Sequence, residues 1–167
     1  MSGQIDAARQ AVGKDNGDMT DSTHNAAPTG PSTYLERQGV RKYVARNSRG
    51  AEVLVGDGPG RFSPGDLMKL AIAGCNAMSS DKRMTDRLGE DFEQFIGVAA
   101  EYNEEEDRFT SFEVEMVQDL SGLSEQEVKD LIRRAEGAID RNCTIGHTIA
   151  HEVPYSKTFT SEEVGEA

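Results

Sequence analysis

At 167 residues the chain has the length of a single domain, long enough to bury a core without disulfide or metal staples. Thirty Asp and Glu against eighteen Lys and Arg give a formal charge of −12, which speaks against a nucleic-acid or anionic-membrane partner. No apolar run approaches the ~20 residues of a membrane-spanning helix, and 17 Gly with 2 Cys exclude collagen-like and disulfide-scaffold classes.

Residues 1–33 contain no Phe, Tyr, Trp or Leu and run through Gly13-Lys14-Asp15-Asn16-Gly17-Asp18 and Ala26-Ala27-Pro28-Thr29-Gly30-Pro31-Ser32. A segment with so little apolar surface cannot offset its ordering entropy, so a flexible arm is expected there and a folded domain over 34–167. No basic stretch followed by an apolar one opens the chain. A cytoplasmic, reducing setting is therefore expected, in which two cysteines serve as free thiols, ligands or redox groups.

The folded part opens with strand-like runs over 40–45 and 51–55. Asn47-Ser48-Arg49-Gly50 between them reads as a hairpin turn with Gly50 free to take positive φ. A long helix follows. Ser63 is a good N-cap, Pro64 suits the first helical position, and Gly89 is a natural stop. Leu67, Leu70, Ala71, Gly74, Cys75 and Met78 share one helical face by spacing and are expected to face the core.

Alternating residues then predict two strands, one through Ile96, Val98, Ala100 and Tyr102, the other through Thr110, Phe112, Val114 and Met116. An acidic turn over 103–107 joins them. Ser124-Glu125-Gln126-Glu127 has the pattern of a capping box. Val128, Leu131, Ile132, Ala135, Ala138 and Ile139 form the apolar stripe of a second helix, with Cys143 just beyond. A last strand is expected over 152–158 and a loose acidic end over 162–167. The order β-β-α-β-β-α-β is an α+β layout.

Cys75 and Cys143 stand 68 residues apart, so neither a CxxC redox motif nor a zinc ribbon is present. Each could be a small buried hydrophobe. Both nevertheless end core-facing stripes, so both side chains should point at the same core. A thiol pair that meets in space can reduce a peroxide through sulfenic acid and disulfide. That chemistry requires donors or cations that lower one thiol pKa.

The stretch Ser63-Pro64-Gly65-Asp66-Leu67-Met68-Lys69-Leu70-Ala71-Ile72-Ala73-Gly74-Cys75-Asn76-Ala77-Met78 resembles the first cysteine helix of the OsmC/Ohr family, the osmotically inducible protein C and organic hydroperoxide resistance proteins. Ala135-Glu136-Gly137-Ala138-Ile139-Asp140-Arg141-Asn142-Cys143 is similar to the family's second cysteine region, and the hairpins match its element order. The resemblance covers about residues 40–158. It implies antiparallel sheets packed on two long core helices in an intertwined homodimer. It implies a peroxidase for organic hydroperoxides that is recycled by a dithiol and needs no cofactor or metal. By this resemblance Cys75 is the peroxidatic thiol and Cys143 the resolving thiol. Arg49 in the first hairpin turn matches the family's activating arginine, with Arg41, Arg46 and Arg61 as rivals.

Two departures stand out. Gly65 occupies the place of the glutamate that holds that arginine in many peroxidase members. Thr144 follows the second cysteine where proline is common. With that glutamate missing, the alternative is a non-catalytic binding or structural dimer of the same fold with inert buried thiols.

Cys143, His147 and His151 are spaced four apart and would share a face of a continuous helix, as zinc ligands do, with Glu152 as a fourth donor. Gly146, Thr144, Ile145, Thr148 and Ile149 argue against such a helix, and no metal site is expected. A milder possibility is that His147 tunes the Cys143 thiol. Asp57-Gly58-Pro59-Gly60 lacks the Gly-Lys-Ser of a phosphate loop.

Overall fold

The computed structural model describes residues 33–151, 153–157 and 159, and the chain forms two compact units. One comprises the described residues up to Pro64 together with 156, 157 and 159. The other is Gly65–Tyr155. The expected arm, apart from Thr33, and the acidic end over 162–167 lie outside the described residues.

In the first unit three strands form an antiparallel sheet in the order β1-β2-β3: β1 Thr33–Gly39, β2 Lys42–Asn47 and β3 Glu52–Gly56. β1 was not expected. Its Tyr34-Leu35-Glu36-Arg37 stretch does not alternate cleanly. Its support comes from across the sheet, where Arg46 on β2 binds Glu36 on β1 and Glu52 on β3. Val40 was expected inside a strand. Instead Val40 and Arg41 are the two residues between the closing pair Gly39 and Lys42, and Val40 is 79% exposed. Arg41 takes φ 54°, a conformation that L residues other than Asn and Asp seldom adopt.

Gly56 lies beside that turn, at φ 122°. A side chain there would place its Cβ 1.9 Å from the Arg41 carbonyl oxygen. The backbone approaches this closely because Asp57 N–H donates to the same oxygen at 3.0 Å. At the other end of the hairpin, Gly50 takes φ 82°, as expected. The Asn47 side chain accepts from the N–H groups of Arg49 and Ala51, which fixes the turn.

The second unit is built on helix α1, Pro64–Leu88, which stops at Gly89 with φ 98°. The expected inward face is not the observed one. Leu70 is 50% and Met78 83% exposed, while Ile72, Ala73, Ser80 and Met84 are buried. Over 67–78 the helix is apolar almost all round, so its first turns do not choose a face. Met84 further along does, by packing with Leu131 and Ala135 against Leu88, Phe92 and Leu123. Burying Met84 and Leu131 stabilises by about 1.5–3 kcal/mol each.

Strands β4 Gln94–Asn103 and β5 Arg108–Gln118 pair antiparallel, with Val98 opposite Val114 and Ile96 opposite Met116. Asn103 organises the acidic turn by accepting from the N–H groups of Glu105 and Glu106. A register shift after Glu101 leaves Thr110 out of the ladder. Thr110 is therefore exposed, and Phe109 takes the half-buried place, stacked near Phe112 and under the Lys69 ammonium.

Helix α2, Glu125–Asn142, starts at the expected cap, where the Glu127 carboxylate accepts from Ser124 N–H at 2.9 Å. It buries Leu131, Ala135 and Ala138. A break at Cys143 separates α2 from a short helix α3, Thr144–Ile149, so no continuous helix runs through Cys143, His147 and His151. The expected last strand is not formed: residues 153–157 have no regular structure, while Glu152 and Thr158 lie outside the described residues. Among the described residues no helix is long and apolar enough to cross a membrane.

Candidate active site

Cys75 lies within α1, half-buried. Cys143 lies where α2 ends and α3 begins, only 3% exposed. The break at Cys143 follows from its backbone, φ −79° and ψ 89°, which leaves the helical region. Its N–H still closes α2 on Ile139 O (2.9 Å), and its carbonyl accepts from His147 N–H (3.0 Å) to open α3. The fold thus brings together two thiols 68 residues apart in sequence, close enough to share a hydrogen bond.

The two thiols are electrostatically unequal. Burial by itself would raise the Cys75 pKa. The Ile145 N–H, the Cys143 thiol, the Thr144 N–H and the Ser79 hydroxyl outweigh it, and the pKa falls below that of an ordinary thiol. Burial raises the Cys143 pKa, and so do its hydrogen bond to Cys75 and the negative charge there, while the N–H groups of Gly146 and Ile145 only partly offset them. Gly146 N–H donates to Cys143 Sγ at 3.3 Å, and the Asn76 amide reaches the same sulfur at 3.9 Å while donating to Ile72 O at 2.9 Å.

This inequality predicts a pH profile. Alkylation needs the thiolate, so the rate at Cys75 should hold as pH falls below the usual thiol range, while Cys143 should react only at higher pH. Rates of iodoacetamide labelling at each cysteine, read by peptide mass between pH 5 and pH 10, check it. A Cys75 rate that rises no earlier than that of a free thiol would contradict the geometry.

Sequence reasoning singled out both cysteines but missed Asn76, Ser79 and the amides after Cys143. Ser79 could have been found, since it sits four residues after Cys75 on the same face of the helix. The amides could not, because they depend on the break in backbone direction at Cys143. The His147 ring is bonded away from the thiol. Its Nε2–H donates to Asp140 O at 2.8 Å. Among the described residues no three His, Cys, Asp or Glu side chains come together as a metal-ligand set.

Of the four candidate arginines, all in the first unit, three are engaged. Arg41 binds Asp57, Arg46 binds Glu36 and Glu52, and Arg61 donates to the carbonyls of Tyr43 and Val55. The Arg49 guanidinium has no ion pair among the described residues. Gly65 lies in the first turn of α1, which also carries Asp66.

An α+β architecture with one thiol inside a long helix and another at a helix junction defines a class of paired-cysteine proteins. A family model described as OsmC-like protein matches residues 56–156. An uncharacterized protein of Mycobacterium tuberculosis (strain H37Rv) is 40% identical over 118 residues, which cover 70% of this chain and 86% of that protein. The chain belongs to the OsmC-like family. In fold it is similar to a protein from Aquifex aeolicus VF5, with TM-score 0.56 and 15% identity, covering 71% of this chain and 85% of that one. It is similar also to a Psychrobacter arcticus 273-4 protein provisionally described as an osmotic stress induced and detoxification response protein. There the TM-score is 0.56 and the identity 16%, covering 71% and 87% of the two chains.

Proposed function

We propose that this protein is a cysteine-dependent peroxidase that reduces organic hydroperoxides as a cytoplasmic homodimer. The observation that carries the reading is the placement of two thiols within hydrogen-bond reach of each other, Cys75 with its pKa lowered and Cys143 with its pKa raised. Membership of the OsmC-like family fits a peroxide-related role. The exposed apolar residues Leu70 and Met78 on α1 support a second copy as their cover.

In the proposed cycle the Cys75 thiolate attacks the outer oxygen of the hydroperoxide. The O–O bond breaks, the alcohol leaves after taking a proton, and Cys75 becomes sulfenic acid. The Cys143 thiol then condenses with it, releasing water and closing the disulfide. A cellular dithiol reduces the disulfide and returns both thiols. Once Cys75 is a neutral sulfenic acid, the negative charge that helped to raise the Cys143 pKa is gone, and Cys143 can lose its proton and attack as thiolate. Arg49 is the proposed cation for the thiolate, since its rivals already have partners. The residue at 65 favours a second reading, a binding dimer with inert thiols, because glycine cannot hold that arginine.

Reduced protein treated with cumene hydroperoxide, with hydrogen peroxide in parallel, separates the two readings by intact mass. Loss of two hydrogens per chain, faster with the organic peroxide, is expected. An unchanged mass at excess peroxide would favour the binding dimer and overturn the peroxidase.

A further inference from the structure

We propose that the groove between α1 and α2 binds a small anion carrying two or more linked phosphoryl groups. Arg83 and Arg87 from α1 and Arg133, Arg134 and Arg141 from α2 line a groove of about 570 Å³. Five of the chain's eighteen cationic residues thus collect in one place on a protein whose formal charge is −12. The volume falls in the range of small-molecule sites, about 300–1,000 Å³.

The acids in the same lining are already bonded. Asp86 takes Lys82 at 2.9 Å, Glu127 takes Ser124 and Arg87, and Asp130 takes Arg133 at 2.9 Å. Arg83 and Arg141 have no ion pair among the described residues. Arg134 acts on Asp130 only at longer range, behind Arg133 and Gln126.

Gly137 provides a second, independent observation. Glycine inside a helix weakens it. Here the missing side chain leaves room for the Arg141 guanidinium, whose Nη1 would lie 3.3 Å from a Cβ at that position. The guanidinium therefore lies back along α2 beside the groove. Guanidinium forks match phosphate oxygens two at a time. Exposed guanidiniums each gain little from one charge in water, so the fitting ligand carries several charges. A long polyanion is disfavoured, because the acidic remainder of the molecule would repel it.

Isothermal titration of the full chain with tripolyphosphate, pyrophosphate and ATP tests this, with orthophosphate at matched ionic strength as control. Saturable binding of tripolyphosphate, one per chain, is expected. Arg83→Gln and Arg141→Gln should each weaken it about tenfold. Gly137→Ala keeps every charge and favours the helix but moves the Arg141 guanidinium by a few tenths of an ångström. It should weaken binding less than Arg141→Gln does, with no fall in the melting temperature of the unliganded protein. An ATP affinity above that of tripolyphosphate would assign the groove to nucleotides, and equal affinities would assign it to the phosphate chain alone. Binding unchanged in all three variants, or no tighter than orthophosphate, would overturn the proposal.

Discussion

Cys75→Ser is expected to abolish hydroperoxide turnover, lowering the rate by about 10³-fold or more, because loss of a nucleophile removes the step that other groups only assist. Serine is close to cysteine in size and Cys75 is only half-buried, so the fold should persist. Cys143→Ser should behave differently. One equivalent of hydroperoxide should still react, and the sulfenic acid at Cys75 should then persist or over-oxidise, since nothing condenses with it. The buried hydroxyl at 143 would find donors in Gly146 N–H and the Asn76 amide, which limits the cost to stability. Peroxide consumption under excess dithiol, with dimedone trapping of sulfenic acid, measures both. Ordinary turnover by Cys75→Ser would end the peroxidase reading. Ordinary turnover by Cys143→Ser would mean that the dithiol attacks Cys75 directly.

The largest expected effect on stability lies far from the thiols in sequence. Gly56→Ala should cost roughly 2–4 kcal/mol and lower the melting temperature by about 5–15 °C. Positive φ is part of the cause. The larger part is the Arg41 carbonyl oxygen at 1.9 Å from the new Cβ, an atom fixed by the β1–β2 turn and by Asp57 N–H. Gly50→Ala is the control. Its φ is also positive, at 82°, but nothing stands within 4 Å of its Cβ, so only conformational strain of about 1–2 kcal/mol is expected. Thermal unfolding followed by circular dichroism compares the two. Equal losses would show that φ strain, not the carbonyl clash, governs both positions.

These two sites also mark what the sequence made legible. Cys75 stands out by the pattern that runs from Pro64 to it, and Cys143 by the apolar stripe of α2 that ends just before it. The caps at Pro64, Gly89 and Ser124 are local chemistry, and the structure places the helix boundaries where that chemistry puts them. The inward face of α1 was misread because Leu67 to Met78 offers apolar residues in almost every direction, and the choice depends on partners about fifty residues away. β1 escaped notice because its register is held by Arg46 on another strand. The Arg41 turn escaped because Gly39 only closes it, and an arginine takes the positive φ in its centre. The glycine that accommodates it stands fifteen residues later, at 56. The amides around the thiols depend on the bend at Cys143, and no residue type announces that bend.

The setting of the two sulfurs also differs in stiffness. Cys75 is carried by a beam of 25 residues, whose backbone cannot turn at one position without breaking hydrogen bonds on both sides. Cys143 is carried by a hinge, and beyond it lies a six-residue helix with no buried side chain to anchor it. If the proposed disulfide forms, any movement it requires is expected in α3 and not in the beam. Hydrogen exchange at the amides of 144–149 is then the measurement expected to register the oxidation state of the pair.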